Sequence, residues 1–159
     1  MTTKSDFTEE EWARILQAPL VAGIAISLAD PGGPIELAKE TTASLKSATN
    51  PPSREQLLTD IALDLQSMAQ QRQNPLADFK PASGSDPRQH ILEELRSVSE
   101  IVSSKAAADE AAAFKRWLIT SAQAAADAAK EGGFMGFGAE QVSQGEKDML
   151  EQVRIAIGA

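Results

Sequence analysis

A chain of 159 residues, 42% apolar and 24% charged, has the length and composition of one globular domain, which excludes disorder of the chain as a whole. With 15 basic against 23 acidic residues the net charge is −8, which repels phosphate backbones and sets nucleic acid aside as a partner. The absence of cysteine removes thiol nucleophiles, disulfides and zinc–thiolate sites together.

Strand formers are scarce, with no Tyr, two Trp and five Phe, while Ala, Leu, Gln, Glu and Lys recur in long runs that lose little side-chain entropy in a helix. The expectation is an all-α, compact single-domain bundle of about six helices spanning residues 1–159. The first residues, "MTTKSDFTEEEW", lack a basic segment leading into an apolar stretch, so neither a signal nor a transit peptide is expected and the expected compartment is cytoplasmic.

In chain order, Thr8 with Glu11 three positions on forms a capping-box pattern that starts a helix at Glu9. Pro19 lacks an amide hydrogen and crowds the preceding turn, which predicts a kink or split there. The piece from Pro19 to Ala29 is apolar nearly all round and is the predicted central helix, with Ile24 almost completely buried. The apolar run from Ala18 to Ala29 falls short of the ~20 residues that span a bilayer, so stable membrane insertion is not expected. "DPGGP" ends this helix, and Pro34 opens a short one carrying Ile35, Leu37, Ala38 and Leu45.

Ser53 and Gln56 repeat the capping-box pattern before a helix whose apolar stripe is Leu58, Ile61, Leu65 and Met68. Residues 74–85, "NPLADFKPASGS", read as a linker between two halves. Asp86 and Pro87 restart a helix with the stripe Ile91, Leu95, Val98 and Val102. An alanine-rich helix from about Ala106 to Lys130 follows, burying Phe114, Trp117 or Leu118, Ser121, Ala125 and Ala129, and its small residues permit close helix approach. Ser143 and Glu146 give a third capping box before the inward face of Met149, Leu150, Val153 and Ile157.

The loop "EGGFMGFG" concentrates glycine and aromatic residues where one helix ends and the next has not begun. Glycine pays more backbone entropy than any other residue, so such a cluster is kept where positive φ or close backbone approach is needed. Three readings stay open: Phe134, Met135 and Phe137 close the core from below, or at least one of them stays outside as a contact for a protein partner or a second copy of the chain, or the loop enters a membrane, which the net charge of −8 opposes where the lipid is anionic. In the contact reading Phe137, between two glycines, is the exposed residue and Phe134 is buried near Leu150 and Val153.

The two halves echo each other weakly: "LADPGGPIELAKE" and "AAKEGGFMGFGAEQVSQGE" each run from a helix through an acid and paired glycines to Ile or Val and a later Glu. This pattern, over roughly Ala22 to Glu40 and Ala125 to Ile157, resembles the tellurite-resistance TerB-like proteins, helical bundles with two pseudo-equivalent halves. The "EGGFMGFG" and "VSQGE" segments also resemble a group of bacterial helical proteins of no assigned function. The TerB-like resemblance implies a cytoplasmic, stress-linked protein whose loop acids hold a divalent metal such as Ca or Mg; here those acids are Asp30, Glu36, Asp127 and Glu131.

Tests for catalysis end mostly in exclusion. His90 is the single histidine, on the polar side of Ile91, so a Ser–His–Asp triad would rest on one exposed imidazole and a di-iron carboxylate centre lacks its two Glu-x-x-His pairs. Neither glycine loop carries the ladder of acids of an EF-hand or the Lys-Ser/Thr ending of a P-loop. The carboxylate neighbours Glu93 with Glu94, and Glu146 with Asp148, read as solvated faces. The expected function is thus a non-enzymatic helical binding or scaffold protein without a cofactor, and the alternative is the metal-binding TerB-like protein.

Overall fold

The computed structural model describes residues 2–29, 42–51, 53–76, 79, 86–131 and 144–159. After a 3-10 turn at Lys4–Asp6, the helices are α1 (Glu9–Ala29), α2 (residues 42–48), α3 (Gln56–Gln70), α4 (Pro87–Lys105), α5 (Ala108–Glu131) and α6 (Gln144–Ile157). There is no strand among the described residues, and the fold is an all-α bundle. α1 packs against α3, α4, α5 and α6.

The start of α1 follows local chemistry: the Thr8 amide donates to Glu11 Oε1 at 2.9 Å and the Glu11 amide donates to Thr8 Oγ1 at 3.1 Å, a reciprocal capping box. The expected split at Pro19 does not occur, and α1 is continuous from Glu9 to Ala29 with Pro19 buried inside it. An interior proline costs a helix about 3 kcal/mol. Here Ile15, Val21, Ala22, Ala25 and Ile26 are all fully buried on either side of it, so side-chain contacts with four other helices hold the rod together through the defect. By length and composition α1 could cross a membrane, yet its apolar surface is largely enclosed by its neighbours. Ile24 is half-buried rather than fully enclosed. It shares the outer side of the helix with half-buried Gln17 and exposed Ala13, because a 3.6-residue turn sends positions 13, 17 and 24 the same way.

The stripes of the later helices lie where periodicity puts them. Ile91, Leu95, Val98 and Val102 on α4, and Phe114, Trp117 and Leu118 on α5, are fully buried, as are Ser121 and Ala125. Met149, Leu150, Val153 and Ile157 form the inward face of α6, while on α3 the stripe of Leu58, Ile61 and Leu65 ends in a half-buried Met68. The side chain of Ala129 lies outside the described residues. α4 opens as expected, with Asp86 accepting from the Arg88 amide at 3.0 Å and Pro87 in the first turn.

Close approach is most severe between α1 and α2. A Cβ built on Gly23 would sit 2.0 Å from Ser44 Oγ and 2.9 Å from Ser44 Cβ, so the absence of a side chain at residue 23 admits α2. α2 is also tied to α5: the Trp117 indole donates to the Ser47 carbonyl at 2.8 Å, and the hydroxyls of Ser121 and Ser47 lie 3.2 Å apart.

Several local expectations are overturned. α3 begins at Gln56 behind Glu55, so Ser53 does not cap it, and Gln56 turns forward to donate to Asp60 Oδ1 at 2.6 Å. Glu94 is not a solvated acid: it receives Nε and a terminal nitrogen of Arg14 at 2.8 and 3.0 Å, a bidentate staple between α4 and α1. Glu146 is buried, whereas Glu93 and Asp148 are exposed. His90 is half-buried with its ring 6.3 Å from that of Phe79, a linker residue that packs on the core together with Leu76. Linker residues 77, 78 and 80–85, the predicted start of the Pro34 helix, Ser143 of the third capping box and most of the two echoing loops lie outside the described residues.

The end of α3 carries a testable strain. The Gln73 amide donates to the Met68 carbonyl and the Arg72 amide to that of Ala69, at 2.8 and 3.1 Å, the paired bonds of a Schellman cap. Its left-handed position is held by Arg72, at φ 58°. Glycine meets no Cβ penalty there, so Arg72→Gly is expected to stabilise the fold by about 1 kcal/mol, read from the urea midpoint; a lowered midpoint would refute the strain argument.

Candidate ligand-binding grooves

Most of the sequence-predicted site falls outside what the structure describes. Phe134, Met135, Phe137, Asp30 and Glu36 are not among the described residues, and Glu131 is described only as the last backbone position of α5. Asp127 is exposed and receives the side-chain amide of Gln123, one turn earlier on its own helix, at 3.0 Å. Among the described residues no group of three or more His, Asp or Glu is placed to hold a metal ion.

Sequence reasoning missed several grooves formed by described residues, and two of them differ sharply in chemistry. The first, about 760 Å³, runs beside the 3-10 turn and the start of α1, over Phe7, Trp12 and Leu16. Two of its charged residues, Lys4 and Asp60, are engaged in contacts within the fold. The indole of Trp12 and the ammonium of Lys4 both donate to Asp64 Oδ2 at 2.8 Å, the Lys4 amide donates to Asp60 at 3.2 Å, and Lys105 pairs with Glu11. Partial burial pushes the Asp64 carboxyl up, but the hydrogen bonds from Lys4 and Trp12 outweigh it and hold the group below the usual carboxylate range. Glu11 is lowered too, chiefly by its hydrogen bond from Lys105 and then by the Thr8 amide. Nearby, the Thr2 amide is held between both oxygens of the buried Glu110 carboxylate, each at 3.1 Å, so the chain's first described residue is anchored to α5. These contacts make the first groove a fastening of the fold.

The second groove, about 690 Å³, lies between α5 and the end of α6, and its chemistry differs. On α5 the spacing of three and four residues brings Ala108, Ala111 and Ala112, then Lys115 and Arg116, then Ile119 and Thr120 to one side. From α6 comes Arg154, set in place by a Schellman cap in which the Ala159 amide donates to the Arg154 carbonyl at 3.0 Å and the Gly158 amide to that of Ile155 at 3.2 Å. Gly158 holds the left-handed position at φ 71°, and Lys115 Nζ lies 3.7 Å from where its Cβ would be. Arg154 has a 3.8 Å contact with Glu151, and neither Lys115 nor Arg116 has an ion pair among the described residues.

Lys115, Arg116 and Arg154 therefore gather over an alanine and isoleucine floor on a chain of net charge −8. No family model, curated protein or solved structure matches the chain. The resemblance to TerB-like proteins thus gains no support from the comparisons. The α5–α6 groove was hidden from the sequence because its cations come from two helices about 40 residues apart, and no run of Lys and Arg marks it.

Proposed function

We propose that the protein is a non-enzymatic helical binding protein that holds an anionic, partly apolar ligand in the groove between α5 and α6. The observation that carries this reading is the meeting of Lys115, Arg116 and Arg154 over an apolar floor in an otherwise acidic molecule. Like charges brought together repel, and a ligand anion relieves that repulsion while the floor supplies area for its apolar part. A surrounding surface of net negative charge pushes the same ligand away elsewhere, so the groove is both attractive and selective.

Amide chemical-shift mapping with sodium decanoate and with polyglutamate as probes tests this. The expected result is that at least one probe gives saturating shifts at Ala112, Lys115, Arg116, Ile119 and Arg154, and that these vanish in the Arg116→Glu/Arg154→Glu double variant. Silence of those amides toward both probes, or shifts that survive the charge reversal, would overturn the reading.

A further inference from the structure

Resting on the reading just given, we infer that the natural occupant of the α5–α6 groove is an acidic amphipathic helix supplied by another protein. The groove follows α5 from Ala108 to Thr120, about 18 Å at 1.5 Å per residue, which matches roughly three turns of a helix laid alongside. At one end Ala108, Ala111 and Ala112 offer a floor of methyl groups, and short side chains let a second helix axis come near. At the other, Ile119 supplies a larger apolar contact, and Lys115, Arg116 and Arg154 stand between and across from these two. The complementary surface is a helix with acids in its middle turn, one reaching Lys115 and Arg116 and one reaching Arg154, and apolar residues a turn to either side.

The shape of the groove favours a helix over a small molecule. Arg116, Thr120, Arg154 and Gly158 are exposed, so the groove is open along its length. Small ligands are generally held where 70–90% of their surface is removed from water, and an open trough does not do that. A helix needs only one face covered, and takes its remaining solvation from its own polar side. Charge complementarity fixes the sign of the partner: it must present carboxylates to this groove, while the −8 of the whole chain disfavours acidic helices at other places on the surface.

The test is a display selection on the immobilised protein with a library of helix-forming peptides of about four turns, randomised along one face. Selected peptides are expected to be enriched in Asp and Glu at the centre and in Leu, Ile or Met one turn to either side. Their affinity is expected to fall roughly tenfold or more in Arg116→Glu/Arg154→Glu, and to weaken steeply with salt. An Arg88→Glu/Arg96→Glu variant, with the same charge change on α4, serves as control and should bind nearly as the parent does; circular dichroism checks that both variants fold. Selection without acidic enrichment, no selection at all, or peptides indifferent to the reversal at Arg116 and Arg154 would overturn the inference. If decanoate still saturates the groove in that event, the binding function stands and a small carboxylate replaces the helix as ligand. If neither decanoate, polyglutamate nor a selected peptide engages it, the function proposed for the groove falls as well.

Discussion

Gly23→Ala is expected to destabilise the protein by about 1 to 3 kcal/mol, the usual range for forcing a methyl into a filled interior. The added carbon would stand 2.0 Å from Ser44 Oγ and 2.9 Å from Ser44 Cβ. Rotating the hydroxyl relieves the first clash, but the second involves an atom fixed to the α2 backbone, so α2 itself must retreat. Such a retreat disturbs the contacts that α2 makes with α5 through Ser47. Ser44 Oγ is buried without a hydrogen-bond partner, so removing that side chain relinquishes no polar contact. Ser44→Gly should therefore restore most of the lost stability in the Gly23→Ala background, despite its own helix-propensity cost of roughly 0.5 to 1 kcal/mol. A double-mutant cycle by urea denaturation measures this directly. Additive single effects, or an Ala at residue 23 without cost, would show that the two helices are not in van der Waals contact there.

The largest loss is expected at Trp117, which is fully buried and joins the core to α2. Trp117→Ala removes the ring from the centre of the bundle and should cost about 3 to 5 kcal/mol, a large share of the 5 to 15 typical for a domain. Trp117→Phe keeps much of the apolar contact but loses the indole donor to the Ser47 carbonyl. That carbonyl also receives the Asn50 amide at 3.1 Å, so it is not stranded when the indole goes. The Phe variant is accordingly expected to lose only about 1 to 2 kcal/mol. Its signature is faster amide exchange in α2, because the severed bond is one that holds α2 to α5. Equal losses for Phe and Ala, or unchanged exchange in residues 42–48, would contradict this division between area and hydrogen bond.

What the sequence made legible follows distance along the chain. The stripe from Ile91 to Val102 and the reciprocal bonds of Thr8 and Glu11 are set by neighbours within a turn or by a repeating period, and both stand in the structure as read. The split allowed for at Pro19 is absent because local propensity is a small quantity beside the burial of Ile15, Val21 and Ile26 against helices far away in sequence. Ser53 offered the right residue type for a cap, yet α3 starts at Gln56, since such a motif states only what a hydroxyl can do if the backbone presents an amide to it. Glu94 looked solvated because its partner, Arg14, is 80 residues away. The candidate site was legible least of all. Lys115 and Arg116 were visible as two charges on an alanine-rich helix, but Arg154 joins them only through tertiary structure. The aromatic loop around Phe134 and Phe137, which drew the eye in the sequence, lies outside the described residues.

The placement of α1 has a consequence for how the molecule is made. α1 precedes α3, α4, α5 and α6, the helices that pack on it, so those four faces are synthesised after it. α5 is complete at Glu131, about 100 residues beyond Ala29, which at ribosomal speeds of 5 to 20 residues per second means a wait of roughly 5 to 20 seconds. Through that interval the most apolar segment of the nascent chain, a continuous rod of Leu, Val, Ile and Ala, lacks the α5 face it packs against. Val21 and Ile26, fully enclosed in the finished bundle, therefore wait for α5 during synthesis, a delay that the stability of the folded protein does not report.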